Sequence, residues 1–402
     1  MRKVAIIVPN SFPVPPIRGG GIQTAVAATT PHYKEFKPYV FCLSEYGLDN
    51  LPLKETVGNI EYRRICQSPL EELWIRVSHL STRNYFPYIR EICKQIKEIK
   101  PDIIHLMNRP WFLPIMRRAL GKEPKIILHH FNNYLMEMPR FFAGRFLSMT
   151  NGFIGCSKYT VNAEVIERFP EYKDGCVVIS NGVDTSKFDP AKIDQGILNG
   201  LRAKYGINKG DVVISYVGRL SEGKGALELL KAVKKLVVGK GQKQVKLMLV
   251  GSSFYGGETK TTPFIEALHK VSADIKDNII FTGFINRDNI QNAFALCDIL
   301  AIPSIVQDAS PIVAYEGAAM NLPIVGTRRG GIPELVEEGQ LGLIVDDPFD
   351  TDGMAEKLGL LVNDPAKRKR YGENGRKFMV TNYDWKIVAH RAEEAYKFFL
   401  RK

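Results

Sequence analysis

Cysteine is scarce, and its spacing is uninformative. Six cysteines (Cys42, Cys66, Cys93, Cys156, Cys176 and Cys297) are spread over 402 residues with no CxxC pair. That excludes a zinc ribbon or a disulfide framework and predicts small buried thiols in a reducing compartment. No apolar run approaches the ~18 residues of a membrane-spanning helix. The opening "MRKVAIIVPNSFPVPP" holds an apolar run of about five residues before Pro9, shorter than the ~7–15 of a signal-peptide core. A cytoplasmic protein is the expectation. Histidine, Asp and Cys show no metal-ligand spacing, so no metal and no cofactor is expected. Internal repeats and low-complexity stretches are lacking. Acidic residues are in the minority, 43 against 55 Lys and Arg, for a net charge of +12. The excess is uneven: residues 1–150 hold 21 basic and 12 acidic residues, net +9, and the remainder contributes +3. Such a face suits an anionic surface or substrate, and equally a plain solvated basic face. No nucleic-acid-binding motif accompanies it.

What is present is a soluble-globular composition, 45 % apolar and 24 % charged, in a chain long enough for two domains. Short apolar runs alternate with amphipathic stretches. A first series runs through "KVAIIVP", "YVFCLS", "DIIHLM", "KIILHH", "GFIGCS" and "CVVISNG". A second runs through "DVVISYVG", "VKLMLVG", "NIIFTG", "DILAIPS", "LPIVGT" and "GLIVDD". Strands alternating with helices predict parallel sheets covered on both faces, here two doubly wound domains. "DTSKFDPAKIDQG", near 184–196, reads as the linker, and a last helix follows a break at Asn382-Tyr383-Asp384. In such sheets ligands bind beyond the carboxyl ends of strands, which directs attention to the residues after each run.

Three of those places carry chemistry. In "PSIVQDASPIVAYEG", 303–317, the spacing predicts a helix capped by Ser310 with Pro311 at its first position and ended by a left-handed Asn321 before Pro323. The N–H groups of Ile312 and Val313 could then hold a phosphate, Glu316 could accept from ribose hydroxyls, and Asp308 would face what lies beyond the phosphates. On spacing alone, a capping Asp308 and a solvated Glu316 fit as well. "YVGRLSEGKGALELL", 216–230, resembles a P-loop, but Gly225 stands where a P-loop needs a Ser or Thr hydroxyl. Arg219 and Lys224 there would make a diphosphate clamp of one fork and one point charge. "PPIRGGGIQTAVA", 15–27, is a Gly-rich loop without a strict GxGxxG. His129 and His130 close a strand and should point to opposite faces. Asp350-Thr351-Asp352 looks like a metal-binding DxD but sits where Asp residues ordinarily cap a helix.

With Gly20-Gly21, "NGVD" at 181–184, "VGRL" and the "KG" pair of 217–225, "GFI" at 283–285 and the segment from Asp308 through "LPIVGTRRGGIPELVEEG" to Gly342, the chain resembles glycosyltransferase family 4. Within that family it is similar to bacterial spore-coat glycosyltransferase-like proteins through "NRP" at 108–110 and "RGGIPELVEEG" at 329–339. The resemblance implies a GT-B fold, two Rossmann-like domains facing across a cleft. It implies an acceptor-side domain over 1–190, joined by a crossover helix at 383–402, and a nucleotide-sugar domain over 191–382. The implied activity is that of a metal-independent retaining hexosyltransferase using a UDP-linked sugar. The acceptor would be a polysaccharide, lipid or protein in cell-surface or spore-coat synthesis. His130 and Asp308 would serve catalysis. Gly20, Gly21, Arg219, Lys224, Phe284, Ile312, Val313 and Glu316 would hold the donor. A cytoplasmic protein, peripheral at a membrane or assembled into a coat, would fit. The family usually has Glu where this chain has Asp308. A non-catalytic coat or scaffold protein that keeps a nucleotide site is the alternative, and a GT-B epimerase acting on a UDP-sugar is a third reading.

Overall fold

The computed structural model describes residues 1–17, 20–44, 51–66, 86–253 and 261–402. The chain divides into two compact units, one of Met1–Ser180 with Trp385–Lys402, the other of Asn181–Asp384. The division falls at 180/181 rather than at 190/191, and the stretch read as a linker, 184–196, lies inside the second unit. Local bonding accounts for this. Asp184 accepts the N–H groups of Ser186 and Lys187, and Val183 bridges to Asp384.

The first unit is built on β1 (Arg2–Ile7), β2 (Phe36–Ser44), β3 (Lys54–Val57), β4 (Ile60–Cys66), β5 (Ile103–Met107), β6 (Lys125–His130), β7 (Gly152–Gly155) and β8 (Cys176–Val178). They lie in the order β3-β4-β2-β1-β5-β6-β7-β8, parallel except for β3, which pairs antiparallel with β4. Successive residues of β1 feed opposite faces. Ala5 and Ile7 join a cluster with Tyr88, Ile92, Phe112 and Met116, whereas Val4 and Ile6 join one with Trp385, Ala392, Tyr396 and Phe399. Burial on both faces is why these strands read as continuous apolar runs. The final helix, Trp385–Arg401, belongs to this unit. Its Glu393 accepts the N–H groups of Lys34, Glu35 and Phe36 at 2.7–3.0 Å, and a Cβ on Gly152 would stand 2.1 Å from the Phe399 ring.

The second unit holds β9 (Val212–Val217), β10 (Val245–Val250), β11 (Ile279–Gly283), β12 (Ile299–Ile302), β13 (Ile324–Thr327) and β14 (Gly342–Val345). Their order is β11-β10-β9-β12-β13-β14, and every pairing is parallel. Counted within the unit, this is the 3-2-1-4-5-6 order of a dinucleotide-binding sheet. The chain leaves β9 toward β10 on one side and returns to β12 on the other, so the switch point lies between the carboxyl ends of β9 and β12.

Candidate functional site

Three loops meet at that switch point. After β9 comes a short turn, Glu222–Lys224, then Gly225 in the left-handed region (φ 72°) and the helix Ala226–Lys234. A Cβ on Gly225 would stand 1.8 Å from the Pro303 carbonyl oxygen. The position that a P-loop fills with Ser or Thr is therefore closed to any side chain. The loop after β12 bonds back, with Ile305 and Val306 both donating to the Gly223 carbonyl at 3.1 and 3.2 Å. The loop after β13 grips Asp308 by its backbone. Gly331 N–H donates to the Asp308 carbonyl at 3.0 Å, and Gly330 N–H to Gln307 Oε1 at 2.6 Å. Gly330 has φ 58°, and a Cβ there would stand 2.1 Å from the Asp308 carbonyl oxygen. Gly330, the first glycine of the "RGG", is thus a steric requirement.

This scaffold sets both carboxylates of the 303–317 stretch, and each has a cation. Lys224 Nζ lies 2.5 Å from Asp308 Oδ2, and Ser304 Oγ donates to the same oxygen at 3.3 Å. Glu316 is 5 % exposed and receives Arg287 Nη2 at 3.2 Å. Burial pushes the Glu316 carboxyl up to about 7, with Arg287 and then Lys187 pulling the other way. The solvated Glu316 that spacing alone allowed is not what the structure shows: the side chain is enclosed and paired with Arg287.

The helix spans Ile312–Ala319 with Pro311 at the N-cap and no side-chain cap. Ser310 does not cap it as the sequence suggested. Its hydroxyl bonds the Tyr315 hydroxyl at 2.9 Å, and its carbonyl accepts from Asn181 Nδ2 at 2.7 Å. Ile312 and Val313 lie in the first turn, whose N–H groups have no partner within the helix itself. At the other end Asn321 is left-handed (φ 62°). Asn321 N–H donates to the Ala318 carbonyl and Leu322 N–H to that of Gly317, the paired closure of a Schellman motif. Arg219 is exposed, its carbonyl accepting from the Tyr216 hydroxyl at 2.5 Å. Phe284, just beyond β11, is 47 % exposed. Arg219, Lys224, Phe284, Asp308, Ile312, Val313 and Glu316 therefore all follow carboxyl ends of the second unit's strands. Sequence reasoning missed Arg287 and Gln307.

The remaining candidates belong to the first unit. Gly20 (φ 121°) stands at the N-cap of Gly21–Thr29, which also opens without a side-chain cap. His129 and His130 do point apart. His129 Nδ1 meets His105 Nε2 at 2.9 Å, and His105 Nδ1 meets the Tyr396 hydroxyl at 2.7 Å. Burial pushes His105 down to about 3. His130 is fully enclosed, with Nδ1 2.5 Å from Glu164 Oε2; nothing in the sequence tied these two together. Arg109 of the "NRP" stretch is buried and donates to Asn10 Oδ1 at 3.0 Å. Among the described residues no group of three or more His, Cys, Asp or Glu side chains is placed to hold a metal ion. Asp350 of the DxD caps its helix, accepting from Gly353 N–H at 2.8 Å. Among the described residues no helix is long and apolar enough to cross a membrane.

Comparison with known proteins places these units. Residues 20–187 match the model for Glycosyltransferase Family 4, and residues 199–378 match that for Glycosyl transferases group 1. The chain is 26 % identical over 399 residues to Spore coat protein SA of Bacillus subtilis, covering 98 % of this chain and 99 % of the relative. It is 23 % identical over 411 residues to the lipopolysaccharide 1,2-N-acetylglucosaminetransferase of Salmonella typhimurium, covering 99 % and 98 %. Among solved structures, a glycosyltransferase from Rickettsia africae ESF-5 superposes with a TM-score of 0.77 at 21 % identity, over 100 % of this chain and 99 % of that one. Anabaena Alr3699/HepE in complex with UDP also gives 0.77, at 19 % identity, over 99 % and 100 %. The fold is GT-B.

Proposed function

We propose, from the premise that the chain belongs to glycosyltransferase family 4, that it transfers a sugar from a UDP-sugar to an acceptor, with retention of anomeric configuration and without a metal. The observation that carries this is the meeting of Lys224, Asp308 and the uncapped Ile312–Ala319 helix at the switch point of the second unit's sheet. When the bond from the anomeric carbon to the diphosphate breaks, negative charge grows on the departing phosphate. Lys224, Arg219 and the helix N-terminus supply fixed positive charge for it. Asp308, next to Lys224, takes the sugar hydroxyls, Glu316 the ribose, and Phe284 a face of the base. Within the first unit, Gly20, Gly21 and His130 are the residues assigned to sugar binding. UDP as the nucleotide is supported by the UDP complex of the Anabaena relative. The acceptor is a cell-surface or coat glycan, lipid or protein, and the basic excess of residues 1–150 suits an anionic one.

The name of the Bacillus subtilis relative favours the alternative, a coat protein that binds a nucleotide without turnover. UDP release from a panel of UDP-sugars, with and without EDTA, separates the two. EDTA-insensitive release from one donor is expected, whereas UDP binding with no release from any donor would support the coat protein.

A further inference from the structure

Glu164 lies on a widened helical turn, Asn162–Ile166, of π type, a local irregularity often found where a side chain must be aimed. The carboxylate is wholly buried and both oxygens are used. Oε2 lies 2.5 Å from His130 Nδ1, and Oε1 accepts Leu135 N–H at 2.9 Å. A buried acceptor on Nδ1 selects the ring form that carries its proton there. Nε2 is then left bare, and it is a buried atom with no protein partner. A second buried atom in this region, Trp111 Nε1, also has none. The two rings pack edge-on against the same ring, that of Tyr134, with centroids at 6.0 Å for His130 and 5.5 Å for Trp111. An indole N–H only donates and a bare Nε2 only accepts. A polyhydroxyl compound meets both needs, each hydroxyl being able to do either. On the opposite face of the sheet, His129 Nε2 is also buried without a partner, but its Nδ1 meets another imidazole rather than a carboxylate.

We propose that Glu164 is a positioning residue for sugar recognition. It fixes the Nδ1–H form of His130 so that Nε2 accepts from a sugar hydroxyl, while Trp111 Nε1 donates to a hydroxyl of the same ligand. This rests on the reading of His130 as a sugar-binding residue.

The test uses the full chain with ¹⁵N-labelled histidine. A ring-nitrogen correlation spectrum of the unaltered protein should show His130, assigned by the signal lost in His130→Ala, protonated at Nδ1 and bare at Nε2. Glu164→Gln should mix the two ring forms and lower UDP release from UDP-glucose, UDP-galactose or UDP-N-acetylglucosamine by about tenfold or more, the scale of a misplaced reacting group. UDP affinity by calorimetry should not change. A proton on Nε2 in the unaltered protein would overturn the proposal without any variant having to fold. So would a Glu164→Gln protein with unchanged ring signals and unchanged release. If His130→Ala releases UDP at the unaltered rate, the sugar-binding reading of His130 falls and the proposal with it. Loss in His130→Ala with none in Glu164→Gln removes only the role of Glu164.

Discussion

Lys224 Nζ lies 2.5 Å from Asp308 Oδ2, joining two loops 84 residues apart in sequence. The cation assigned to the diphosphate and the acid assigned to the sugar are therefore partners. A donor bound as proposed exchanges this contact for its own phosphate and hydroxyl groups. Removing Asp308 would leave Lys224 with one less acceptor to give up.

Asp308→Ala should accordingly hold or raise UDP affinity while lowering UDP release from the preferred donor by about tenfold or more. Asp308→Glu, longer by one methylene, keeps a carboxylate for Lys224 and should retain release with some donor. Calorimetry and a release assay on the same preparations check both. Full turnover in Asp308→Ala would remove Asp308 from the reaction.

Glu316 predicts a pH dependence of stability. Its carboxyl is raised from 4.5 to about 7, chiefly by burial. The folded state therefore holds a proton that the unfolded chain has already released between those values. Stability from this group is complete below about 4.5 and is lost as pH rises through about 7. Glu316→Gln stays neutral throughout. The melting temperature of the unaltered protein should fall relative to that of Glu316→Gln between about pH 4.5 and pH 7. Parallel curves would contradict the assignment.

Gly225→Ser restores the P-loop residue type, and it should damage the protein. The new Cβ would meet the Pro303 carbonyl oxygen at 1.8 Å in a backbone conformation of φ 72°. A loss of more than about 2 kcal/mol in denaturant unfolding is expected for strain of this kind. An unchanged midpoint would show that the loops after β9 and β12 are looser than described.

The first unit offers a test of how its final helix is held. Phe399→Ala should cost about 3–5 kcal/mol, and Gly152→Ala about 1–3 kcal/mol through overpacking. Because a Cβ on Gly152 would stand 2.1 Å from the Phe399 ring, the two effects are coupled. Gly152→Ala should cost less in a Phe399→Leu background, measured as a double-mutant cycle. Additive costs would place the two residues out of contact.

Much of this architecture was legible because parallel strands buried on both faces write themselves as apolar runs; every run singled out in the sequence became a strand. The hairpin of β3 and β4 was not read. β3 is four residues, none of them buried, so no apolar pattern marks it, although the Gly58-Asn59 pair between the strands is a hairpin signal. At the site, Arg219, Lys224, Asp308 and Glu316 could be picked out because each follows a strand and lies near a helix start. Their partners could not. Arg287 meets Glu316 from 29 residues away, and Glu164 meets His130 from 34, distances at which only the fold decides contact. The unit boundary was misplaced for a related reason: an Asp- and Lys-rich stretch reads as solvent-exposed linker, but Asp184 uses its carboxylate to bond the local backbone.

The most direct test is a calorimetric titration of UDP into the unaltered chain, Arg219→Ala and Lys224→Ala. The account predicts that UDP binds the unaltered chain and that Lys224→Ala weakens it by about 1.5–3 kcal/mol, the worth of a charge-assisted contact, with Arg219→Ala weakening it in the same sense. Unchanged affinity in both variants, or no UDP binding by the unaltered chain, would contradict it.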